Sequence, residues 1–530
     1  MDTGYTNERV FRIILNGGMF AKVLSSSVSG LDGIQVVVDA DISNGLPSFS
    51  IVGLPDKAVE ESRERVRSAI KNTGADLPAQ RITVNLAPGD LPKEGSFFDV
   101  PIAVAILLAT GQLKVDVSHV MFLGELSLNG ELRHTKGVLP MALFARQNRI
   151  QSIFIPEENA QEASIVEGIL IYPARTLREI LDHLSGQKLI VPRPHSSYKE
   201  FQKNEEYECD MRDIKGQEFV KRAVEVAVAG GHNILLKGPP GAGKTLIAKT
   251  VPSILPSLAF EEALEVTKIY SISDLLGDKP MITTRPFRSP HHTTSHIGLI
   301  GGSAHPKPGE ISLAHRGILF LDEFPEFPRH VLEALRQPLE DGKVVISRAR
   351  DRVIFPCKFM LVAAANPCPC GYLNDPKKRC ICTQSQILRY QKRISGPLLD
   401  RIDIHVEVPA VDLEKLTARD DSVVESSIEV RARVEKARIL QERRLKSKGL
   451  FTNAEMSSRQ TREHVQFSEE AEKVLKVAVA KLSLSARSYY KVLKVAQTIA
   501  DLEGAKIMEK HHLLEALAYR PRSFEEQTTI

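Results

Sequence analysis

The 530-residue chain is 42% hydrophobic and 26% charged with a formal net charge of +4, a composition that excludes a disordered polymer and leaves any basic surface local rather than global. At this length about three to four domains are expected. The longest apolar run, residues 100–109, is about half of a membrane span and contains Pro101. Residues 1–18 lack the apolar core of a secretory signal, so a cytoplasmic location with reduced thiols is expected and no membrane partner.

In chain order, 1–18 is an N-terminal extension. Residues 19–190 alternate short β-branched runs (34–42, 48–52, 82–86) with helical segments, the pattern of an α/β domain. Val59, Val66, Ala69 and Ile70 recur at helical spacing among Glu and Arg, predicting a surface helix with one buried face. Residues 191–212 turn polar, with Pro192, Pro194 and Glu205-Glu206, and read as a linker. Strand and helix signals alternate again over 213–410, and 411–520 becomes mainly helical, predicting a lid; 521–530 is a tail. The fold class expected is therefore a multidomain α/β protein with a helical C-terminal part.

Residues 238–245 read Gly238-Pro239-Pro240-Gly241-Ala242-Gly243-Lys244-Thr245 after the buried strand 233–237. Glycines let consecutive backbone amides wrap phosphate oxygens, the following helix N-terminus adds partial positive charge, Lys244 neutralises β/γ-phosphate charge, and the Thr245 hydroxyl suits magnesium. Residues 317–323, GILFLDE, are an apolar strand ending in Asp322 for magnesium and Glu323 as the base that polarises water. A second apolar strand, 359–365, ends in Asn366, whose amide can orient the lytic water or can simply start a turn before Pro367. ATP and Mg2+ are the expected ligands.

Four of the six cysteines, Cys368, Cys370, Cys380 and Cys382, form two CxC pairs separated by a nine-residue loop. Four thiolates can close around structural zinc; small buried hydrophobes are the alternative.

These residues resemble a family. DIKGQ at 213–217, the P-loop, GEISLAHRGILFLDEFPEF at 309–327, AANPCPCGY at 364–372 and SGPLLDRID at 395–403 are similar to magnesium-chelatase-like AAA+ ATPases of the YifB/ComM type, from about Met19 to Arg520. The resemblance implies an AAA+ P-loop core and a helical lid. It makes Arg401 an arginine finger for the neighbouring subunit and Arg487 the lid arginine known as sensor 2, hence a ring, a homohexamer. It also implies a DNA helicase or branch-migration activity in homologous recombination of transforming DNA. Residues 340–356 read as two strands around a basic turn and match the family's pore hairpin, offering Arg348, Arg350 and Arg352 to DNA; a solvated hairpin is the alternative. Residues 285–302, with Arg285, Arg288 and three histidines, correspond to a second pore loop.

PKEGSFFDVPIA at 92–103 and GELSLNGELR at 124–133 resemble the Lon-protease, ribosomal-S5-like α+β fold. The motif places Phe97 and Leu139 where a peptidase needs serine and lysine; only a shifted register would recruit Ser96 and Lys136. The competing classes are a metal-insertion or protein-remodelling motor like the magnesium-chelatase small subunit, and an ATP-dependent protease or unfoldase.

Overall fold

The computed structural model describes residues 19–520 apart from 94, 203–206, 278, 303–305, 348–351, 376–377, 411–424 and 483. It forms two compact units, Met1–Lys203 with Thr267–Ile282, and Asn204–Val266 with Thr283–Ile530. That Thr267–Ile282 joins the first unit is not visible in a linear reading of the chain.

The first unit is built on a seven-stranded sheet. Strands β1 (Phe20–Ser29) and β2 (Asp32–Ser43) form a long antiparallel hairpin whose turn uses Gly30 at φ 62°. β3 (Ser48–Val52), β4 (Arg81–Ala87), β5 (Val120–Phe122), β8 (Ser152–Pro156) and β9 (Leu170–Ala174) complete the order β3-β4-β2-β1-β5-β8-β9, with β5, β8 and β9 running parallel. A short side hairpin pairs β6 (Glu125–Leu126) with β7 (Leu132–Arg133). Alternation along β2 buries Val36, Val38, Ala40 and Ile42 on one face, as the two-residue period of a strand requires. The helix Asp99–Ala109 is apolar all round after its first residue, the buried Asp99, and correspondingly buried, whereas Lys57–Asn72 buries only the stripe of Val59, Ser62, Val66, Ala69 and Ile70. The Asp56 carboxylate caps that second helix by accepting from Val59 N at 2.8 Å.

The second unit carries a five-stranded parallel sheet of β10 (Ile234–Lys237), β11 (Phe287–Arg288), β14 (Ile318–Leu321), β17 (Met360–Ala365) and β18 (Ile404–Glu407) in the order β11-β14-β17-β10-β18. Two small antiparallel ladders, β12 (Gly301–Gly302) with β13 (Lys307–Pro308) and β15 (Lys343–Ser347) with β16 (Arg352–Pro356), stand outside it. β10, β14 and β17 are nearly continuous in apolar residues because helices cover both faces of a parallel sheet. The helical C-terminal region shares this core. Val430, Val434 and Ala437 of the helix Ser427–Leu445, and Val492, Leu493 and Ala496 of Ala486–Glu503, are buried in the same cluster as Val224 and Val228 of Glu218–Gly230.

Candidate nucleotide-binding site

β10 delivers the chain into the 238–243 loop, and the helix Lys244–Ile254 leaves it. Gly238 N–H donates to Ala365 O at 3.1 Å, and a Cβ on Gly238 would lie 2.2 Å from Val408 O, so no side chain fits there. Gly241 and Gly243 take φ of 78° and 86°, the left-handed conformation a loop needs to turn successive amides to one side. Lys244 is buried at 8% exposure; its ammonium donates to Gly238 O at 2.8 Å, Pro239 O at 2.9 Å and Asn366 Oδ1 at 3.0 Å. Burial lowers the Lys244 pKa, with the Asp322 and Glu323 charges acting in the opposite sense.

Because β17 lies between β10 and β14, Asn366 at the end of β17 stands beside Lys244, and Asp322 just past β14 faces the start of the helix Lys244–Ile254. The Thr245 hydroxyl donates to Asp322 Oδ2 at 2.8 Å, and Glu323 N–H donates to Asp322 Oδ1 at 2.9 Å. Glu323 itself sits at φ 49° with an exposed carboxylate. A sharp left-handed turn at a non-glycine residue directly after a buried strand is a feature that clusters at functional sites. Five of the residues the motifs single out, Lys244, Thr245, Asp322, Glu323 and Asn366, are therefore gathered beyond the C-terminal ends of the inner strands β10, β14 and β17. One neighbour has no counterpart in the motif reading: His292, considered above as part of a pore loop, places Nδ1 3.5 Å from Glu323 Oε2, with its ring against His291. Only the richness of the 285–302 segment in histidine hints at it.

The arginines behave differently. Arg401, mostly buried, pairs with Glu340 and donates to Pro397 O at 2.6 Å; Arg487 donates to the other oxygen of the same Glu340 at 2.9 Å. Two arginines assigned separate parts thus converge on a single carboxylate, on the helix Arg336–Asp341. Arg285 and Arg288, expected on a basic pore loop, are each held by a carboxylate of the second unit. Arg285 forks onto Glu262, down to 2.8 Å, and onto the carbonyls of Pro256 and Arg316, while Arg288 makes two 2.7 Å bonds to Glu310. Both guanidiniums are spent on long-range ion pairs that tie the segment down. Arg352 is exposed on β16, and Arg348 and Arg350 lie outside the described residues. A basic surface the motifs passed over is a 760 Å³ cleft lined by Arg329, Arg389, Lys392 and Arg393, of which Arg393 also pairs with Glu326 at 2.5 Å.

The four clustered cysteines come together. Sγ of Cys368 lies 3.4 Å from Cys370 and 3.7 Å from Cys380, Cys370 and Cys380 are 3.6 Å apart, and Cys370 N–H donates to Cys382 Sγ at 3.4 Å. Four thiolates at about 2.3 Å from one zinc ion stand about 3.8 Å apart, so the donor set fits that metal. A backbone N–H, that of Tyr372, is the chief influence drawing the Cys370 thiol down to about 6.

In the first unit, Phe97 packs on Phe98 at 4.5 Å and Leu139 is fully buried. Ser96 hydrogen-bonds Glu125, and Lys136 pairs with Asp274 at 2.8 Å, so the two polar candidates are engaged by different carboxylates.

A five-stranded parallel sheet in this order, with a P-loop on one strand, a carboxylate pair two strands away and an amide on the strand between, defines a P-loop protein of the AAA+ class. Family models agree: that for magnesium chelatase, subunit ChlI, matches residues 210–416, that for subunit ChlI of Mg-chelatase matches 38–159, and that for the ChlI C-terminal region matches 424–520. Competence protein ComM of Haemophilus influenzae is 44% identical over 94% of this chain and 97% of its own, and YifB of Salmonella typhimurium 42% identical over 94% and 97%. A partial likeness, 31% identity over 26% of each chain, is to Lon protease 2 of Bacillus subtilis. The chain belongs to the ComM/YifB family of magnesium-chelatase-like AAA+ proteins.

Proposed function

We propose that this protein is an ATP-hydrolysing ring motor that moves on DNA, acting as a helicase or branch-migration factor in homologous recombination during natural transformation. The observation that carries the ATPase part is the convergence of Lys244, Asn366, Thr245, Asp322 and Glu323 beyond the C-terminal ends of β10, β14 and β17. Lys244 exchanges its loop carbonyls for phosphate oxygens, and Asn366, already bonded to Lys244, orients the attacking water from its side. Glu323 takes the proton of that water. Thr245 and Asp322 are the ligands for magnesium, which when bound neutralises charge on the β- and γ-phosphates. Arg401 serves the γ-phosphate held by the neighbouring subunit and Arg487 acts as the lid's sensor 2 arginine, which makes hydrolysis depend on assembly into a homohexamer. Cys368, Cys370, Cys380 and Cys382 hold a structural zinc ion.

For the DNA part, the supports are the relative named a competence protein, the exposed Arg352 on its hairpin and the basic cleft of Arg329, Arg389 and Lys392, all suited to phosphates rather than bases. The first unit, similar in part to Lon, serves as scaffold or DNA contact. A cytoplasmic location accords with the described residues, none of whose helices is long and apolar enough to cross a membrane.

The test is purified protein with ATP, magnesium and labelled forked or D-loop DNA, with Lys244→Ala and Glu323→Gln as controls. DNA-stimulated ATPase and strand movement, both lost in the controls, are expected. ATPase without any response to DNA would refute the DNA motor and favour the metal-insertion reading that the magnesium-chelatase models suggest.

A further inference from the structure

The cysteine cluster is not remote from the nucleotide loop. The segment from Ala365 to Gly371 runs along the P-loop and touches it at three successive levels. Ala365 O accepts from Gly238 N–H at 3.1 Å; Asn366 Oδ1 accepts from Lys244 Nζ at 3.0 Å; and Gly371 packs so closely on Pro240 that a Cβ at that position would lie 2.4 Å from Pro240 Cδ and 2.6 Å from Cγ. Two of the four thiols, Cys368 and Cys370, belong to this same segment. Gly371 is buried, adopts φ 83° and has its N–H bound to Cys368 O at 3.0 Å, so its position follows directly from that of the cysteines on either side of Pro369. The other two, Cys380 and Cys382, reach the segment from the far side of the intervening loop, with Cys370 N–H donating to Cys382 Sγ.

We infer that the cysteine cluster is a metal-dependent clamp on the nucleotide site: a thiophilic divalent cation held by the four thiolates fixes the Ala365–Gly371 segment, and that segment holds the P-loop in its phosphate-binding shape. The inference rests on the zinc reading above and adds to it a task for the metal. Without the ion, four thiols within 4.8 Å of one another have no reason to stay together, since thiolates repel and thiols bond only weakly. Opening the cluster releases Gly371 from Pro240 and moves Asn366, which shares its backbone with Cys368 through Pro367. The cysteines are positioning residues. They act on the nucleotide through Pro240 and Asn366, and P-loop geometry is sensitive because its binding groups are backbone amides that cannot be repositioned by rotamer changes.

The experiment measures two quantities on each full-length protein: zinc content by elemental analysis, and the affinity for a fluorescent ATP analogue in excess magnesium. Wild type is expected to carry about one zinc per chain and to lose nucleotide affinity by about tenfold to a hundredfold when the zinc is stripped with a chelator under reducing conditions, with recovery on adding zinc back. Cys380→Ser, far in sequence from the P-loop, is expected to lose the metal and the affinity together. Gly371→Ala leaves all four thiols in place, so it is expected to retain zinc yet bind nucleotide at least about tenfold more weakly, because the added methyl displaces Pro240. Wild type without zinc overturns the zinc reading and the clamp with it. Zinc present in wild type but nucleotide affinity unchanged, within about twofold, in stripped protein or in Gly371→Ala overturns the clamp alone. Should Cys380→Ser fail to fold, the chelation and Gly371→Ala arms decide the question.

Discussion

Both units of the molecule contain residue types that catalysis uses, and they differ in what those residues face. In the second unit Lys244 reaches Asn366, Thr245 reaches Asp322 and Glu323 turns outward beside them, so two carboxylates, a hydroxyl and an ammonium are brought together. In the first, Ser96 and Lys136 are each satisfied by a separate carboxylate, Glu125 and Asp274, and the positions matching a Lon-type dyad are the apolar Phe97 and Leu139. A hydroxyl and an amine make a nucleophile and its base only when hydrogen-bonded to one another. Convergence separates the two regions, since the side-chain types alone do not.

The comparison can be sharpened by mutation. The largest effect is expected for Arg401→Ala, a fall in assembled-state ATP hydrolysis of about 10³-fold or more with nucleotide binding retained, measured by steady-state ATPase and equilibrium binding. If ATPase is lost only together with binding, Arg401 is a structural residue. Glu323→Gln should lower hydrolysis by about 10²–10⁴-fold and leave the protein trapped with bound ATP, visible as stable nucleotide co-eluting on gel filtration. Glu340→Gln removes the charge that gathers Arg401 and Arg487; a decrease of about tenfold in ATPase, smaller than for Arg401→Ala, is expected from steady-state rates.

Next come two buried carboxylates, one in each unit, whose environments act with opposite sign. Burial pushes the Asp99 carboxyl of the first unit up to about 6 against the pull of Arg65, so the stability tied to its protonated form is complete below about pH 4 and is lost as pH rises through 6. Burial also acts on Asp403 of the second unit, but the hydrogen bond with His232 and the charge of Lys491 outweigh it and hold that carboxyl at about 2. Its contribution is present above about pH 4 and is lost as pH falls through 2. Denaturation curves against pH should lose the acid-side dependence in Asp403→Asn and the pH 4–6 dependence in Asp99→Asn. The smallest effect is expected for Ser96→Ala: ATPase and DNA-dependent activities unchanged within about twofold, since its hydroxyl is engaged by Glu125. A tenfold loss there would reopen the case for chemistry in the first unit.

Much of the nucleotide site was legible without coordinates. The phosphate cradle is a run of consecutive residues whose glycines are needed for the backbone itself, and the strand 317–323 ends in its carboxylates wherever it sits in the sheet. The CxC pairs announced their donor set in the same way. The partners of Arg285 and Arg288 were not legible: a basic, histidine-rich segment does not announce that Glu262 and Glu310, 23 and 22 residues away, hold the two guanidiniums. His292 beside Glu323 was hidden for a similar reason: the 31-residue separation is bridged only by the fold.

The sequence by itself determined the chemistry available: a glycine-rich P-loop, a hydroxyl and two carboxylates suited to a metal-nucleotide site, four thiols and an α/β framework to carry them. Only the tertiary structure decided which of these act together. It placed β17 between β10 and β14 so that Asn366 meets Lys244, brought Arg401 and Arg487 to one carboxylate across 86 residues of chain, and laid Gly371 on Pro240. Local motifs are written in consecutive residues because backbone geometry is short-range. Ion pairs and packing contacts join residues whose separation along the chain carries no information about their distance in space.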